Sequence, residues 1–208
     1  MIECPQKSTK DFTAPRVLLH RKLQIAAVIG AAPPGFSMIT FAELETQKFE
    51  LLSLLRSWPE ATLVYRPAPD AWSATEVLDH IVRVEDRITA AARIGLKSPH
   101  SMGLRDRMGF LFIERVFRSQ RRVAVPGSAS EVLPDPTANL ETIVQHWDKA
   151  RTELAGFLKD LSAEQLRLGI FRHPVSGWMT APQILRFFSV HMHHHRFQLD
   201  RLRLACER

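Results

Sequence analysis

Near its C-terminus the chain reads His191-Met192-His193-His194-His195. In an α-helix residues four apart stack on one face, so His191 and His195 present two imidazoles to the same neighbour. They belong to a seam of Ile184, Phe188, His191, His195 and Leu202. An unpartnered polar ring in such a seam costs on the order of 1–3 kcal/mol. A divalent cation removes that cost, because each ring-nitrogen lone pair gains a bond. His80 stands on a second amphipathic segment, between Val77 and Val84. If the two segments pack together, three imidazoles converge and a fourth coordination position stays open to water or substrate. The competing reading is a solvent-facing histidine patch with incidental metal affinity. On a helix His193 points away from the seam and His194 flanks it. His146 and His173 have weaker supporting context, and His20 and His100 have none.

The elements that must position these rings are helical. Thr40-x-x-Glu43, Ser73-x-x-Glu76 and Thr180-x-x-Gln183 read as capping boxes, in which hydroxyl and carboxyl or amide satisfy orphan backbone N–H groups. The first opens a helix to about Ser57, ended by Pro59. The second opens the His80 helix, closed by Gly95 and Pro99. The third opens the last helix, to about Ala205. Leu104 to Ser119 reads as a further helical piece, and Thr137 as the N-cap of a long helix to about Asp160. Ser162-x-x-Gln165 caps a short turn. Residues Val125 to Pro136 and His173 to Trp178 read as loops, and period-two alternation is nearly absent. The expected fold is all-α: an up-down four-helix bundle with a long, partly helical connection between the second and third helices.

Residues 1–37 differ from the rest. They hold Pro5, Pro15, Pro33 and Pro34 and a basic excess, and they are expected to be a poorly ordered N-terminal extension, with Met38 a possible true start. Residues 38–208 form the expected domain. No apolar run is long enough for a membrane span. The two cysteines, Cys4 and Cys206, lie at opposite ends and suggest neither a disulfide framework nor a cysteine-rich zinc site, so a cytoplasmic setting is the default. The net charge is +6, concentrated in the extension and between Arg93 and Arg122. That second stretch reads either as a solvated helix face or as an anion-attracting rim beside a pocket. Exposed aromatics are not expected to interleave with it and no recognition motif appears, which makes nucleic acid an unfavoured partner. Glu76 is assigned to its capping box, Asp79 and Glu85 are expected to be solvated, and Gln198 is placed to hydrogen-bond a ligand or substrate. There is no Ser-His-Asp arrangement, Gly-rich phosphate loop or H-E-x-x-H.

Trp72-Ser73-Ala74-Thr75-Glu76-Val77-Leu78-Asp79-His80-Ile81 resembles a W-S-x-x-E-x-L-x-H-L segment of the DinB-like superfamily, which includes the YfiT-type proteins. His173-Pro174, Gly177, Thr180 and then His191-x-x-x-His195-x-x-Gln198 resemble the closing motif of that family. Trp147 and Arg151 are compatible with it. The resemblance spans Met38 to Leu204. It implies a four-helix bundle with His80, His191 and His195 binding zinc, nickel or a similar divalent ion. One departure is His194, where many relatives carry arginine. The family includes S-transferases and isomerases that use low-molecular-weight thiols, and metal-dependent hydrolases. The expected activity is therefore a thiol S-transferase or hydrolase acting on a small molecule, with a second copy of the chain as a candidate partner in a homodimer. The alternative is a non-catalytic, metal-stabilised bundle with a stress-response or ligand-binding role.

Overall fold

The computed structural model describes residues 39–119, 121 and 127–207; the basic extension and Met38 lie outside them. Six helices are present among the described residues: α1 (Phe41–Arg56), α2 (Glu60–Val64), α3 (Ala74–Gly95), α4 (Leu104–Arg118), α5 (Leu140–Lys159) and α6 (Ala181–Cys206). All three capping boxes form, at Thr40, Ser73 and Thr180. Glu76 does its capping work, accepting from the Ser73 amide at 2.9 Å, and also binds Arg66 at 2.6 Å.

Four local expectations change. The helix α5 is capped by Asn139, whose side chain accepts from the Thr142 amide at 2.9 Å. Thr137 instead turns its own amide and hydroxyl onto Asp135. Asn caps at least as well as Thr, so the start moves to the residue that can reach the helical amides. Pro59, expected only to end α1, also opens the short α2. The Pro/Gly/Ser loop contains a 3-10 helix, Gly127–Val132. The His173–Trp178 segment folds as a hairpin, β1 (Phe171–His173) against β2 (Gly177–Met179), in antiparallel register. Three-residue strands are too short to show alternation. The turn closes on Gly177 at φ +80°, which favours glycine.

Side-chain pairs fix the sense of each helix. Glu45, Lys48 and Arg56 of α1 meet Arg151, Asp148 and Glu141 of α5, in descending order, so the two run antiparallel. Asp86 and Arg93 of α3 meet His146 and Glu153 of α5, in ascending order, so these run parallel. Glu114 of α4 binds Arg186 of α6 at 2.6 Å and Phe117 packs on His191 further along, so α4 and α6 run parallel too. Successive long helices therefore alternate in direction. The connection between α3 and α5 carries its own return stroke, α4, as the expected long and partly helical link.

Asp79 and Glu85 are buried rather than solvated. The Glu85 carboxylate receives the Trp147 indole N–H at 2.7 Å and the Arg151 guanidinium at 2.7 and 2.8 Å, tying α3 to α5. Arg151 is nearly as buried as its partner and also approaches Glu45 and Met192. Helical spacing places both acids among apolar neighbours, and desolvation is tolerable only because donors from other segments meet them. Removing one partner leaves an uncompensated buried charge. Glu85→Ala is expected to lower unfolding free energy by about 3–5 kcal/mol in urea titration; a loss under about 1 kcal/mol, the range of an exposed pair, would contradict this burial.

Candidate metal centre

The packing of α3 on α6 brings the three predicted rings together. His80, His191 and His195 are all buried, and one ligand atom from each lies within 4.8 Å of the others. Ring centroids are 5.2 Å apart for His80 and His191, 4.9 Å for His80 and His195, and 4.5 Å for His191 and His195.

Two neighbours set the tautomers. The His80 Nδ1 lies 2.7 Å from the Val132 carbonyl oxygen, which can only accept, so Nδ1 carries the hydrogen and Nε2 the lone pair. The His195 Nδ1 likewise donates to the Gln198 side-chain oxygen at 2.9 Å. Its Nε2 then faces the His191 Nε2 at 3.1 Å. A hydrogen on the His191 Nε2 would pair those two rings but leave His80 Nε2 unused; His191 Nδ1 is buried without a partner in either tautomer. A cation accepts all three lone pairs at once. The donor set, three neutral nitrogens, suits zinc, nickel and similar ions, so this cluster could hold a divalent metal ion.

The surroundings keep the rings neutral. Burial is the main cause in each case. It pushes His195 down to about 3, His191 well below the ordinary imidazole value and His80 below it, with mutual repulsion among the rings adding to the effect. Phe187 stacks on His191, Trp72 packs on His80, and Phe117 lies against His191 and His194.

The centre lies in a cavity of about 960 Å³. Its walls combine these aromatics with Phe171, while Arg87, Arg172 and Arg201 supply positive charge. Arg87 is paired with Glu131 at 2.5 Å. Of the two readings of the Arg93–Arg122 stretch, the structure fits the solvated helix face, with Arg105, Arg107, Arg115 and Arg118 all exposed. Among the described residues the stretch contributes only Phe117 to the cavity, and none of its arginines. Arg93 donates to the Glu153 carbonyl, and Arg118 to Glu114. The arginines that do line the cavity flank site histidines in sequence: Arg172 precedes His173, and Arg201 follows His194 by two helical turns. Phe187 sits one turn before His191, so the same face rule that finds His195 also finds Phe187.

The other histidines divide. His173 lines the cavity; its Nδ1 accepts from the Val175 and Ser176 amides, both at 3.2 Å, so Nε2 holds the hydrogen, and burial pushes its pKa down to about 4. His194, which flanks the seam, is buried; it also lines the cavity, and a ring nitrogen bonds the Phe117 backbone. His193 is exposed, His146 reaches Asp86 outside the cavity, and His100 stacks on Trp178.

A family model described as the DinB superfamily matches residues 43–199. The chain belongs to the DinB superfamily. No curated protein and no solved structure matches it. The family match contains all three histidines of the cluster and Gln198, and it ends before Arg201. DinB-like proteins bind metals, and the buried trio of this member is compatible with that property.

Neutral burial has a consequence for acid stability. Below pH 6.5 the rings of the unfolded chain take up protons that the folded rings refuse, so the unfolded state binds more protons and stability falls with pH. The window opens near pH 6.5; the His173 share of the loss levels off near pH 4, where that ring is half-protonated in the fold, while the His195 share continues to about pH 3. The melting temperature of chelator-treated protein is expected to drop steadily from pH 7 to pH 4.5, with a shallower slope in His195→Asn. A flat profile over that range would show that the imidazoles titrate alike in both states.

Proposed function

We propose that His80, His191 and His195 bind a zinc or nickel ion, and that the protein is a metal-dependent thiol S-transferase or hydrolase acting on a small molecule held in the adjoining cavity. The observation that carries this reading is the juxtaposition of three oriented, neutral imidazoles with a roomy, largely apolar cavity. The bound ion would acidify a coordinated water or thiol.

The residues of the chain supply the rest. The Val132 carbonyl and Gln198 hold two rings in the tautomer that directs Nε2 inward, a second-layer function that tunes ligand basicity. Trp72, Phe117 and Phe187 exclude water from one side of the cluster, which strengthens electrostatic interactions there. His173 holds a hydrogen at Nε2 and supplies a donor at the cavity wall. Arg172 and Arg201, which form no ion pair among the described residues, suit the carboxylate of a low-molecular-weight thiol. A cytoplasmic site of action fits this substrate class. Among the described residues no helix is long and apolar enough to cross a membrane.

One observation favours the second reading, a metal-stabilised bundle with a ligand-binding or stress-response role. His194 is a fourth buried imidazole beside the trio, 5.2 Å from His195 between ring centroids.

Metal content and a thiol-transfer assay separate the two. Natively purified protein is expected to hold one equivalent of zinc or nickel, and alanine at His80, His191 or His195 should abolish stoichiometric binding. Mixed with an electrophile and a panel of small thiols, the metal-loaded protein should consume thiol, and Arg201→Ala should raise KM for anionic thiols more than for neutral ones. Unchanged metal content in the three variants would refute the site. Metal-dependent folding without turnover of any thiol or ester would favour the structural role.

A further inference from the structure

The outward face of α4 is unusual in both composition and exposure. Leu104 is 77% exposed, Met108 58%, Leu111 44% and Phe112 59%, so one exposed aromatic does stand among the basic residues, contrary to expectation. Spacings of four, three and one put these residues on one stripe of the helix. Around that stripe stand Arg105, Arg107, Arg115 and Arg118, all exposed. The helix has two acidic residues, and both are turned away from it. Asp106 accepts from the Gly103 and Trp178 amides, each at 3.0 Å. Glu114 is buried against Arg186. Arg118 also contacts Glu114, whereas Arg105, Arg107 and Arg115 form no ion pair among the described residues. The face is therefore apolar and purely cationic.

We propose that this face of α4 docks on an anionic lipid surface, with the helix lying along the bilayer and not crossing it. A convex helix with large apolar residues along its centre and arginines on its flanks matches the interfacial class of amphipathic helix. The apolar side chains enter the headgroup boundary, and the guanidinium groups reach lipid phosphates and carboxylates. Charge complementarity selects this occupant over a second copy of the chain. In a two-fold contact the same arginine-rimmed stripe would face itself, with no acidic side chain on either face to neutralise it. The inner face of α4 is anchored independently. Phe110, Ile113 and Phe117 are buried, and Gly109 lets the helix approach the hairpin so closely that an added Cβ would lie 2.3 Å from the Ser176 carbonyl oxygen. Docking thus needs no unfolding, and it presents the bundle with α4 toward the bilayer.

The test is co-sedimentation of the full chain with phosphatidylcholine vesicles, with and without phosphatidylserine. Binding is expected only to the anionic vesicles and should weaken with added salt. Phe112→Asp and the pair Arg107→Glu/Arg115→Glu should each lower the partition coefficient by about tenfold or more. Because these positions are exposed, the melting temperature should stay unchanged. The basic N-terminal extension offers an internal control: Lys7→Glu/Lys10→Glu should leave most of the binding intact. Absence of binding, binding that follows the Lys7/Lys10 variant and ignores the α4 variants, or a dimer in sedimentation equilibrium that Phe112→Asp dissociates would each overturn the proposal.

Discussion

The structure turns on the burial of three uncharged imidazoles where α3 meets α6. A buried ring nitrogen needs a partner, and each of these rings has two. The outer nitrogens of His80 and His195 are served by the Val132 carbonyl and by Gln198. The inner ones converge on one another, too close for bare lone pairs to coexist comfortably. This arrangement explains why a seam otherwise made of Ile184, Phe188 and Leu202 accepts polar residues. It also explains why the rings stay neutral, since an apolar wall of Trp72, Phe117 and Phe187 penalises any added proton.

Much of the remaining architecture fixes the registry that this convergence requires. Asp79 accepts the Asp135 amide at 2.7 Å and binds Arg83, which draws the connection before α5 against the start of α3. That same connection delivers the Val132 carbonyl to His80. On the opposite side of α3, Glu85 and Arg151 lock α5 in place. The capping boxes at Ser73 and Thr180 set where the two histidine-bearing helices begin, and hence which turn each ring occupies. Buried polar pairs of this kind are weak sources of net stability. Their contribution here is positional: Asp79 and Glu85 act one residue before and just over one turn after His80.

The sequence was most legible where chemistry and periodicity coincide. His80, His191 and His195 could be placed on two apolar faces because the helical period is regular, and Gln198 followed at the next turn of α6. Start signals located α1, α3 and α6, since capping boxes are local and need no tertiary information. The errors have a common cause. Asp79 and Glu85 read as solvated because charge alone suggests exposure, while their partners lie far away in sequence, at Asp135, Trp147 and Arg151. The hairpin at His173 is held by its turn and by contacts with α4, and its strands are too short to advertise themselves. The densest basic stretch offered a cavity rim only as the alternative to a solvated helix face, and no other basic residues stood out for the cavity. The cavity arginines lie elsewhere, at Arg87, Arg172 and Arg201, because lining a cavity depends on which faces the bundle brings together and not on local charge density.

The central claim is that these three imidazoles grip one metal ion and leave it room for another ligand. X-ray absorption spectroscopy at the metal edge of natively purified protein tests it most directly. The account predicts three imidazole nitrogens at about 2.0–2.1 Å, as for zinc, with one or more oxygen or sulfur scatterers completing the shell. A first shell without imidazole, or an ion held by surface carboxylates and the exposed His193, would contradict it.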